Sequence, residues 1–492
     1  MTHHGVLSIM PVLLAIGIAV WTRKVVPSLF LGVYAGVLIL AGGHPIDATT
    51  STIKDYLLTQ LTDGYNAGVL VLLVFIGGFV GLMEQSGGAA AFASRTARFI
   101  DTRAKVQLAS WLGGVAIFFS DLGTPLIVGP IFEPVVDRLK VSREKLAWIL
   151  DSTASPVAVL VPITGWGVYI MGLIAKEYGA IGVTETDWQA FMGSLPFAFF
   201  PILTVVLVPV VALTGLDLGA MDRAERRTRA GDRYWPASRP LRRSADAVAT
   251  VETMSLITVP LAVLFVTLFG ILAPLGFPFV QVPGADFRAA LSAGYFFGAL
   301  ALMGLMARHR IGSFDRSFAM YTEGIQRITT VAVILVLAWA LGAVGRELGT
   351  AAYLVELASG RVAPWIVPAL VFVVGAVMSF ATGSSWGAFA IMLPIVIPMA
   401  ATLGVPMHAS IGAVLSGGLF GDHASPISDT TILSSTGAGC DHIDHVRTQM
   451  PYALLVAAIS LVSHVAAGLT GSPWTAVMAL ALLPVALLIV RR

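Results

Sequence analysis

Two short polar runs interrupt long apolar stretches and decide the architecture that we expect for this chain. The first run is SDLGTP at residues 120–125, inside the apolar stretch 104–135. The second is TGSSWG at residues 382–387, inside the stretch 364–400. Glycine, proline and small hydroxyl residues in such positions break a helix. Because each stretch is long enough for two short helices, we predict two re-entrant hairpins.

The composition is that of a protein embedded in lipid. Of the 492 residues, 57% are hydrophobic and only 12% are charged, whereas soluble domains carry about 25% charged residues. Apolar stretches of about 20 residues recur along the chain, and each is long enough to cross a bilayer as a helix. The net charge of +2 gives no reason to expect nucleic acid as a partner, and the single cysteine, Cys440, excludes an internal disulfide framework. We therefore predict an all-α polytopic membrane protein with lipid as its surroundings and no cofactor.

Positive charge in short loops predicts the orientation of the spans, because lysine and arginine are concentrated on the cytoplasmic side. By this rule the N-terminus lies outside and the C-terminus inside, in a multi-pass protein of the bacterial inner membrane. The arginine-rich stretch 216–250 falls inside as a solvated loop or a contact with anionic lipid. We expect eleven full spans, at about residues 5–22, 25–43, 66–84, 146–174, 192–215, 251–275, 289–307, 328–346, 408–437, 451–469 and 473–490.

The two halves of the chain align with one another. At an offset of 262, residues 85–90 match 347–352 and Ser120 falls on Thr382, so the two hairpins coincide. Corresponding segments run in opposite directions by the charge rule, which defines an inverted-topology repeat with its binding site near the membrane midplane. The predicted division is a first repeat (1–215, with a hairpin at about 104–135 and a broken helix at about 146–174), a cytoplasmic linker (216–250), a second repeat (251–470, with a hairpin at about 364–400 and a broken helix at about 408–437) and an extra C-terminal helix (471–492).

Four aspartates fall at the predicted breaks, where an ionisable side chain at membrane depth marks a functional site. Asp121 lies at the first hairpin tip, Asp151 precedes Pro156 by five residues, and Asp422 and Asp429 flank the second break. Proline frees backbone carbonyls, and carbonyls, carboxylates and hydroxyls are the oxygen ligands that hard cations such as sodium prefer. We predict Asp429, expected to be the deeper of its pair, with Asp422 and Asp121 as sodium ligands.

Hydroxyl residues and one histidine complete the predicted ion- or substrate-binding site. A buried carboxyl group that holds either a proton or a sodium ion exchanges the two cations, which is sufficient for antiport. The additional predicted residues are Thr124, Ser152, Thr153, Ser155, Thr382, Ser384, Ser385, His423, Ser425, Ser428, Thr430 and Thr431.

Several of these residues also have a purely structural interpretation. Asp151 could be a helix N-cap near the cytoplasmic surface. Asp422 could accept hydrogen bonds from the backbone amides around Ser425 and so stabilise the break, and Asp121 could have a structural role at the hairpin tip. His423 is either a proton-linked group or a hydrogen-bonded core histidine.

The run CDHIDHVR at residues 440–447 has a metal-like composition. At the cytoplasmic boundary it is interpreted first as a solvated loop that caps the next helix. The alternatives are a pH sensor at His442 and His445, because histidine titrates near neutrality, and a zinc site.

These motifs resemble a known family. FGDHASPISDTTILSST at 420–436, continued by HVRTQMPY at 445–452, is similar to the signature of NhaC-type sodium/proton antiporters. SREKLA at 142–147 and DSTASPV at 151–157 are also similar, and the resemblance covers most of residues 66–470. It implies an ion-transporter superfamily with inverted repeats, a transport domain that moves like an elevator, a homodimer, and sodium and protons as substrates.

One departure leaves a second prediction open. Relatives often carry two adjacent aspartates and an asparagine at the first hairpin tip, where this chain has Ser120, Asp121 and Thr124. The smaller negative charge leaves room for a small organic anion or amino acid coupled to sodium or protons, and relatives include malate/lactate exchangers. No arginine is predicted near the midplane to hold a carboxylate, which favours the inorganic interpretation. The interrupted helices argue against a channel pore, and no nucleophile–base pair or phosphate-binding loop indicates an enzyme.

Overall fold

The computed structural model describes residues 3–88, 100–235, 253–277, 280, 282–358 and 362–491, and within these ranges it contains helices and no strand. The all-α fold class is confirmed. Residues 89–90 of the repeat alignment and residues 236–250 of the predicted linker lie outside the described residues.

The helices of the first half begin with apolar elements and continue through the first predicted hairpin. They are α1 (Met10–Thr22), α2 (Val25–Leu40), α3 (Pro45–Ser51), α4 (Leu58–Thr62), α5 (Gly64–Gln85), α6 (Arg103–Ala116), α7 (Gly123–Arg138), α8 (Arg143–Ser152), α9 (Ser155–Leu160), α10 (Gly165–Ile181), α11 (Asp187–Ser194), α12 (Phe199–Thr214) and α13 (Gly219–Arg229). A π-helical segment, Thr52–Leu57, joins α3 to α4.

The helices of the second half include the longest element described. They are α14 (Ser255–Leu272), α15 (Gly284–Arg308), α16 (Phe314–Glu347), α17 (Thr350–Ala358), α18 (Val367–Thr382), α19 (Ser385–Leu403), α20 (Met407–Ala424), α21 (Asp429–Gly437), α22 (His442–Thr470) and α23 (Thr475–Arg491).

Local sequence explains where several helices begin. The side chains of Thr102, Ser142 and Thr164 accept hydrogen bonds from the third backbone amide of α6, α8 and α10. Such N-caps satisfy amide groups that have no partner within the helix. These three helices therefore start at defined residues.

Length and composition support a multi-pass membrane protein. Of the described helices, seven are long and apolar enough to cross a membrane, or up to nine if each of two bent pairs is one span. The bent pairs are Arg143–Leu160 with Gly165–Ile181, at 43°, and Asp187–Phe197 with Phe199–Thr214, at 53°. The predicted number of eleven spans is not confirmed. Both arms of the second hairpin pass the same test separately, so its re-entrant course stays a prediction.

Helix ends coincide with the polar runs that break the apolar stretches. The helix α6 ends at Ala116 before α7 begins at Gly123, and α18 ends at Thr382 before α19 begins at Ser385. The turn after α18 uses Gly383 at φ 68°, a left-handed conformation that glycine adopts without strain. The division into two inverted repeats stays a prediction.

The helices α5 and α16 pack closely through glycine. A Cβ atom on Gly324 of α16 would lie 2.1 Å from the carbonyl oxygen of Gly77 in α5, and one on Gly81 would lie 2.6 Å from the Cα of Gly324. Small residues of this kind allow membrane helices to approach one another closely. This pair forms one wall of the cavity described next.

Candidate functional site

One cavity of about 170 Å³ lies between the α5–α16 pair, the two hairpin tips and the second helix break. All three predicted sodium ligands line it, together with three of the predicted hydroxyl residues. The predicted residues that line the cavity are Asp121, Ser155, Ser384, Asp422, Asp429 and Thr430.

Asp422 is a buried carboxylate of the cavity that accepts a hydrogen bond on each oxygen. It is 6% exposed, and its two oxygens accept hydrogen bonds of 2.6 Å from the hydroxyls of Ser385 and Ser428. The Ser428 hydroxyl is also 3.1 Å from that of Thr430. Because Ser385 begins α19 and Ser428 precedes α21, Asp422 joins the second hairpin tip to the second break.

The sequence predicts that Asp429 is more deeply buried than Asp422, and this prediction is wrong. Asp429 is the first residue of α21 and its side chain is exposed at the cavity, whereas Asp422 is buried. The break between α20 and α21 accounts for the difference, since the chain re-enters a helix only at Asp429. Its role as a sodium ligand stays a prediction.

Asp121 is held at the first hairpin tip by an aromatic side chain. Its carboxylate accepts hydrogen bonds of 3.0 Å from the Trp166 indole and from the backbone amide of Leu122. Trp166 in turn stacks on Trp386 of α19, with ring centroids 3.7 Å apart. Through these two rings the first hairpin tip is connected to the second.

Asp151 lies outside the cavity lining and is not a helix N-cap, so the cap interpretation is wrong. It is the penultimate residue of α8 and 1% exposed. One carboxylate oxygen accepts from the Thr431 hydroxyl at 3.0 Å and from the Gln449 amide at 2.6 Å. The other oxygen is buried without a hydrogen-bond partner among the described residues.

His423 is buried, with its Nε2 atom 3.3 Å from the Ser152 hydroxyl, so both interpretations of this histidine remain open.

The remaining predicted hydroxyl residues mostly serve local structure. The hydroxyls that donate to backbone carbonyls are those of Thr124, to Ser120 at 2.9 Å; Thr153, to Ile149 at 2.8 Å; Thr382, to Met378 at 3.0 Å; and Ser425, to Phe380 at 2.8 Å.

The two histidines of the 440–447 run belong to a helix and not to a solvated loop. His442 begins α22, and His445 is fully buried. Ring nitrogens of both lie within 3.0 Å of the Ser435 hydroxyl, and His445 also contacts the side-chain oxygen of Gln449 at 2.8 Å. Since Gln449 donates to Asp151, the pair is connected to the buried carboxylate. Where the structure describes the chain, no three His, Cys, Asp or Glu side chains form a metal-binding group.

Two charged residues that the sequence did not single out also line the cavity. Glu84 at the end of α5 accepts a hydrogen bond of 2.6 Å from Arg327 of α16. No arginine is predicted from the sequence near the midplane to hold a carboxylate, and the structure places Arg327 in the cavity lining. The predicted span begins at residue 328 and so leaves Arg327 outside it. The helix α16 begins at Phe314, and Arg327 therefore lies well inside a helix. The sequence signal that could have identified these two residues is their position, since Glu84 and Arg327 each lie at the end of an apolar stretch.

A cavity between interrupted helices in a polytopic helical protein is typical of secondary transporters. The profile of the Na+/H+ antiporter family matches residues 1–165 and 157–469, and the chain belongs to this family. It is thus a membrane transporter of the antiporter class and not an enzyme. The resemblance drawn from the motifs is confirmed.

The chain is also similar to individual proteins. The chain is 33% identical to an uncharacterized protein of Haemophilus influenzae over 488 residues, which cover 95% of this chain and 92% of the relative. It is 40% identical over 78 residues, 16% of this chain and 17% of the relative, to the malate-2H(+)/Na(+)-lactate antiporter of Bacillus subtilis. The fold is similar to that of the Alcanivorax borkumensis YdaH transporter, with a TM-score of 0.60 at 20% identity, covering 85% of this chain and 89% of that one.

Proposed function

We propose that this protein is a sodium/proton antiporter of the bacterial inner membrane. The observation that carries the proposal is the convergence of Asp121, Asp422 and Asp429 on one cavity between two hairpin tips and a helix break. Carboxylate and hydroxyl oxygens are the ligands that hard cations prefer. Carboxylates at membrane depth are stable when they hold either a proton or a metal cation, and this choice couples the two fluxes.

Asp422 is the central residue of the proposed exchange. Its two oxygens accept hydrogen bonds from the Ser385 and Ser428 hydroxyls. A hydroxyl group also has lone pairs, so the same serines become sodium ligands when the ion binds beside Asp422. Asp429, exposed at the cavity, is the group that incoming cations meet first.

The proposed motion is of the elevator type, with N-terminus outside and C-terminus cytoplasmic, in a homodimer. The three aspartates belong to the hairpin tips and broken helices, while the opposite wall belongs to α5 and α16. A site divided in this way opens to either side when one group of helices slides against the other. The family resemblance supports the same motion and the dimer.

Proton flux in proteoliposomes tests the proposal. Vesicles with a trapped pH dye and an imposed pH gradient receive sodium, lithium or potassium. We expect cation-evoked proton flux from the wild type, at least a tenfold loss in Asp422→Asn, and normal flux in Asp47→Asn, an exposed acid of α3 that serves as the control. Wild-type vesicles that remain silent with all three cations would refute inorganic antiport.

A second candidate is coupled transport of a small organic anion or amino acid. The cavity of about 170 Å³ favours it, because a water molecule needs only about 10–15 Å³ of such space and a bare ion needs no more than a few such volumes. The similar protein of Bacillus subtilis is a malate-2H(+)/Na(+)-lactate antiporter, which exchanges organic anions together with sodium and protons.

A further inference from the structure

The cavity wall contains a carboxylate that already has a cationic partner. Glu84 is 12% exposed and its Oε2 atom accepts from the Arg327 guanidinium at 2.6 Å. Its other oxygen accepts from the hydroxyl of Ser120 at the first hairpin tip, and that hydroxyl accepts from the Gly123 amide at 2.9 Å. A carboxylate thus lies between a guanidinium on α16 and a hydroxyl on the hairpin.

Arg327 retains most of its binding capacity. A guanidinium has five N–H donors and matches a carboxylate through two parallel hydrogen bonds. Within the described part of the chain, Arg327 makes one hydrogen bond, through a single nitrogen to Glu84, and its side chain is 56% exposed. The remaining donors are therefore free to bind a second carboxylate or to take the place of the first.

The charge of the cavity restricts what can enter beside Arg327. Four carboxylates line it (Glu84, Asp121, Asp422 and Asp429), and Arg327 is the only basic side chain among its described lining residues. An anion that enters therefore has one attractive partner and needs cations on the aspartates to offset the repulsion. Binding of an anion and binding of sodium or protons are coupled by this arrangement.

We infer that Arg327 binds the carboxylate of a small organic anion, and that Glu84 occupies this position when the anion is absent. The inference rests on the second candidate function, coupled transport of a small organic anion. The stacked indoles of Trp166 and Trp386, with Phe119, line the same cavity and supply an apolar surface for the carbon skeleton of the anion. An anion held by Arg327 and Ser120 bridges the α16 wall and the hairpin tip, as Glu84 does now.

Ligand-induced stabilisation of the purified protein tests the inference. Thermal unfolding is followed with increasing lactate or succinate, at constant sodium, pH and ionic strength with chloride as the balancing anion. Lactamide and succinamide serve as uncharged isosteres. We expect the acids to raise the midpoint of the wild type and the amides to leave it unchanged, because only the carboxylate pairs with a guanidinium.

The variants separate the roles of the two side chains. Arg327→Gln is expected to weaken the binding of the acids roughly 10-fold to 100-fold, the effect of losing charge-assisted hydrogen bonds. Glu84→Gln is expected to bind the acids severalfold more tightly, because the internal competitor loses its charge. The control is Arg316→Gln, which removes an exposed arginine from the same helix and should bind like the wild type.

Three results would overturn the inference: no acid stabilises the wild type, the amides stabilise as well as the acids, or Arg327→Gln binds the acids like the wild type. If Arg327→Gln does not fold, unchanged affinity in Glu84→Gln is the contrary result. Sodium-evoked proton flux without organic anion is measured on the same preparations. Flux without acid binding overturns this inference and leaves antiport standing, whereas acid binding without flux supports it and overturns sodium/proton antiport.

Discussion

At the scale of single residues, side-chain contacts connect the two hairpin tips. Trp166 donates its indole N–H to Asp121 at 3.0 Å and stacks on Trp386 of the second hairpin. A hydrogen bond to a carboxylate is stronger than one between neutral groups, by a factor of about two. Trp166 therefore both orients Asp121 and packs against the second hairpin tip.

Replacing Trp166 with phenylalanine separates these two roles. The variant keeps an aromatic ring beside Trp386 but loses the donor to Asp121, so we expect apparent sodium affinity to change by about tenfold, in line with about 1.5 kcal/mol for a hydrogen bond to a charged group. The measurement is the sodium dependence of proton flux in proteoliposomes.

A matched control comes from another buried indole. Trp339 donates to the carbonyl of Gly172 at 3.0 Å and does not line the cavity. Trp339→Phe should lose comparable stability and leave the sodium dependence unchanged. Equal effects of the two substitutions on sodium affinity would show that the Asp121 contact has no special role.

At the scale of elements, the α5–α16 contact determines where the charged residues of the wall meet. Gly77 and Gly81 of α5 lie against Gly324 of α16. Glu84 follows Gly81 by three residues and Arg327 follows Gly324 by three residues, so each lies about one turn beyond the glycine contact on its helix. The two helices run antiparallel, since Gly77 faces Ile328 and Gly81 faces Met320. Glu84 and Arg327 therefore lie on opposite sides of the contact along the axis. Close backbone approach at the glycines allows the two long side chains to meet across it at 2.6 Å.

Gly324→Ala tests this element. The added methyl group would lie 2.1 Å from a backbone oxygen of α5, so the helices must separate, and overpacking of this kind costs about 1–3 kcal/mol. We expect a lower thermal midpoint and impaired transport. Gly304→Ala is the control, since a Cβ there meets nothing within 4 Å and should leave stability unchanged or raise it by about 0.4–1 kcal/mol. Equal midpoints for the two variants would refute the close packing.

At the scale of the whole molecule, a buried ion pair and a hydrogen bond from the second half meet at Asp217. Lys145 of α8 is bound to Asp217, which precedes α13, and Asp217 also accepts from the Tyr452 hydroxyl of α22 at 2.9 Å. The Lys145 side chain is 1% exposed and that of Asp217 is 6% exposed. The segment before α13 is thereby fastened to helices from both halves.

Asp217→Asn leaves the buried ammonium of Lys145 without a full countercharge. Removing one partner of a buried pair costs about 3–5 kcal/mol, whereas replacing both with apolar residues is often neutral. We expect a large fall in thermal midpoint for Asp217→Asn and substantial recovery in the double variant Lys145→Met/Asp217→Leu. A double variant less stable than the single one would contradict this account.

The breaks and the carboxylates beside them were predictable because their causes are local. Clusters of proline, glycine and hydroxyl residues favour a helix break, although single prolines such as Pro260 and Pro451 lie inside continuous helices. The clusters at 120–125, 382–387 and 421–431 therefore predict Asp121, Asp422 and Asp429 beside breaks without knowledge of any contact. The depth of Asp429 was misjudged, because exposure depends on the elements that face a residue and not on its own neighbours in the chain.

The sequence by itself determined the class of this protein: an all-α membrane transporter with interrupted helices and carboxylate and hydroxyl side chains beside the interruptions. Composition and helix-breaking residues are sufficient for that, since lipid and backbone hydrogen bonding restrict the possible structures. Only the tertiary structure decided which charges meet. Glu84 and Arg327 are 243 residues apart, and Asp151 is 298 residues from Gln449. Contacts over such separations depend on how the helices pack, and no local pattern in the chain encodes them.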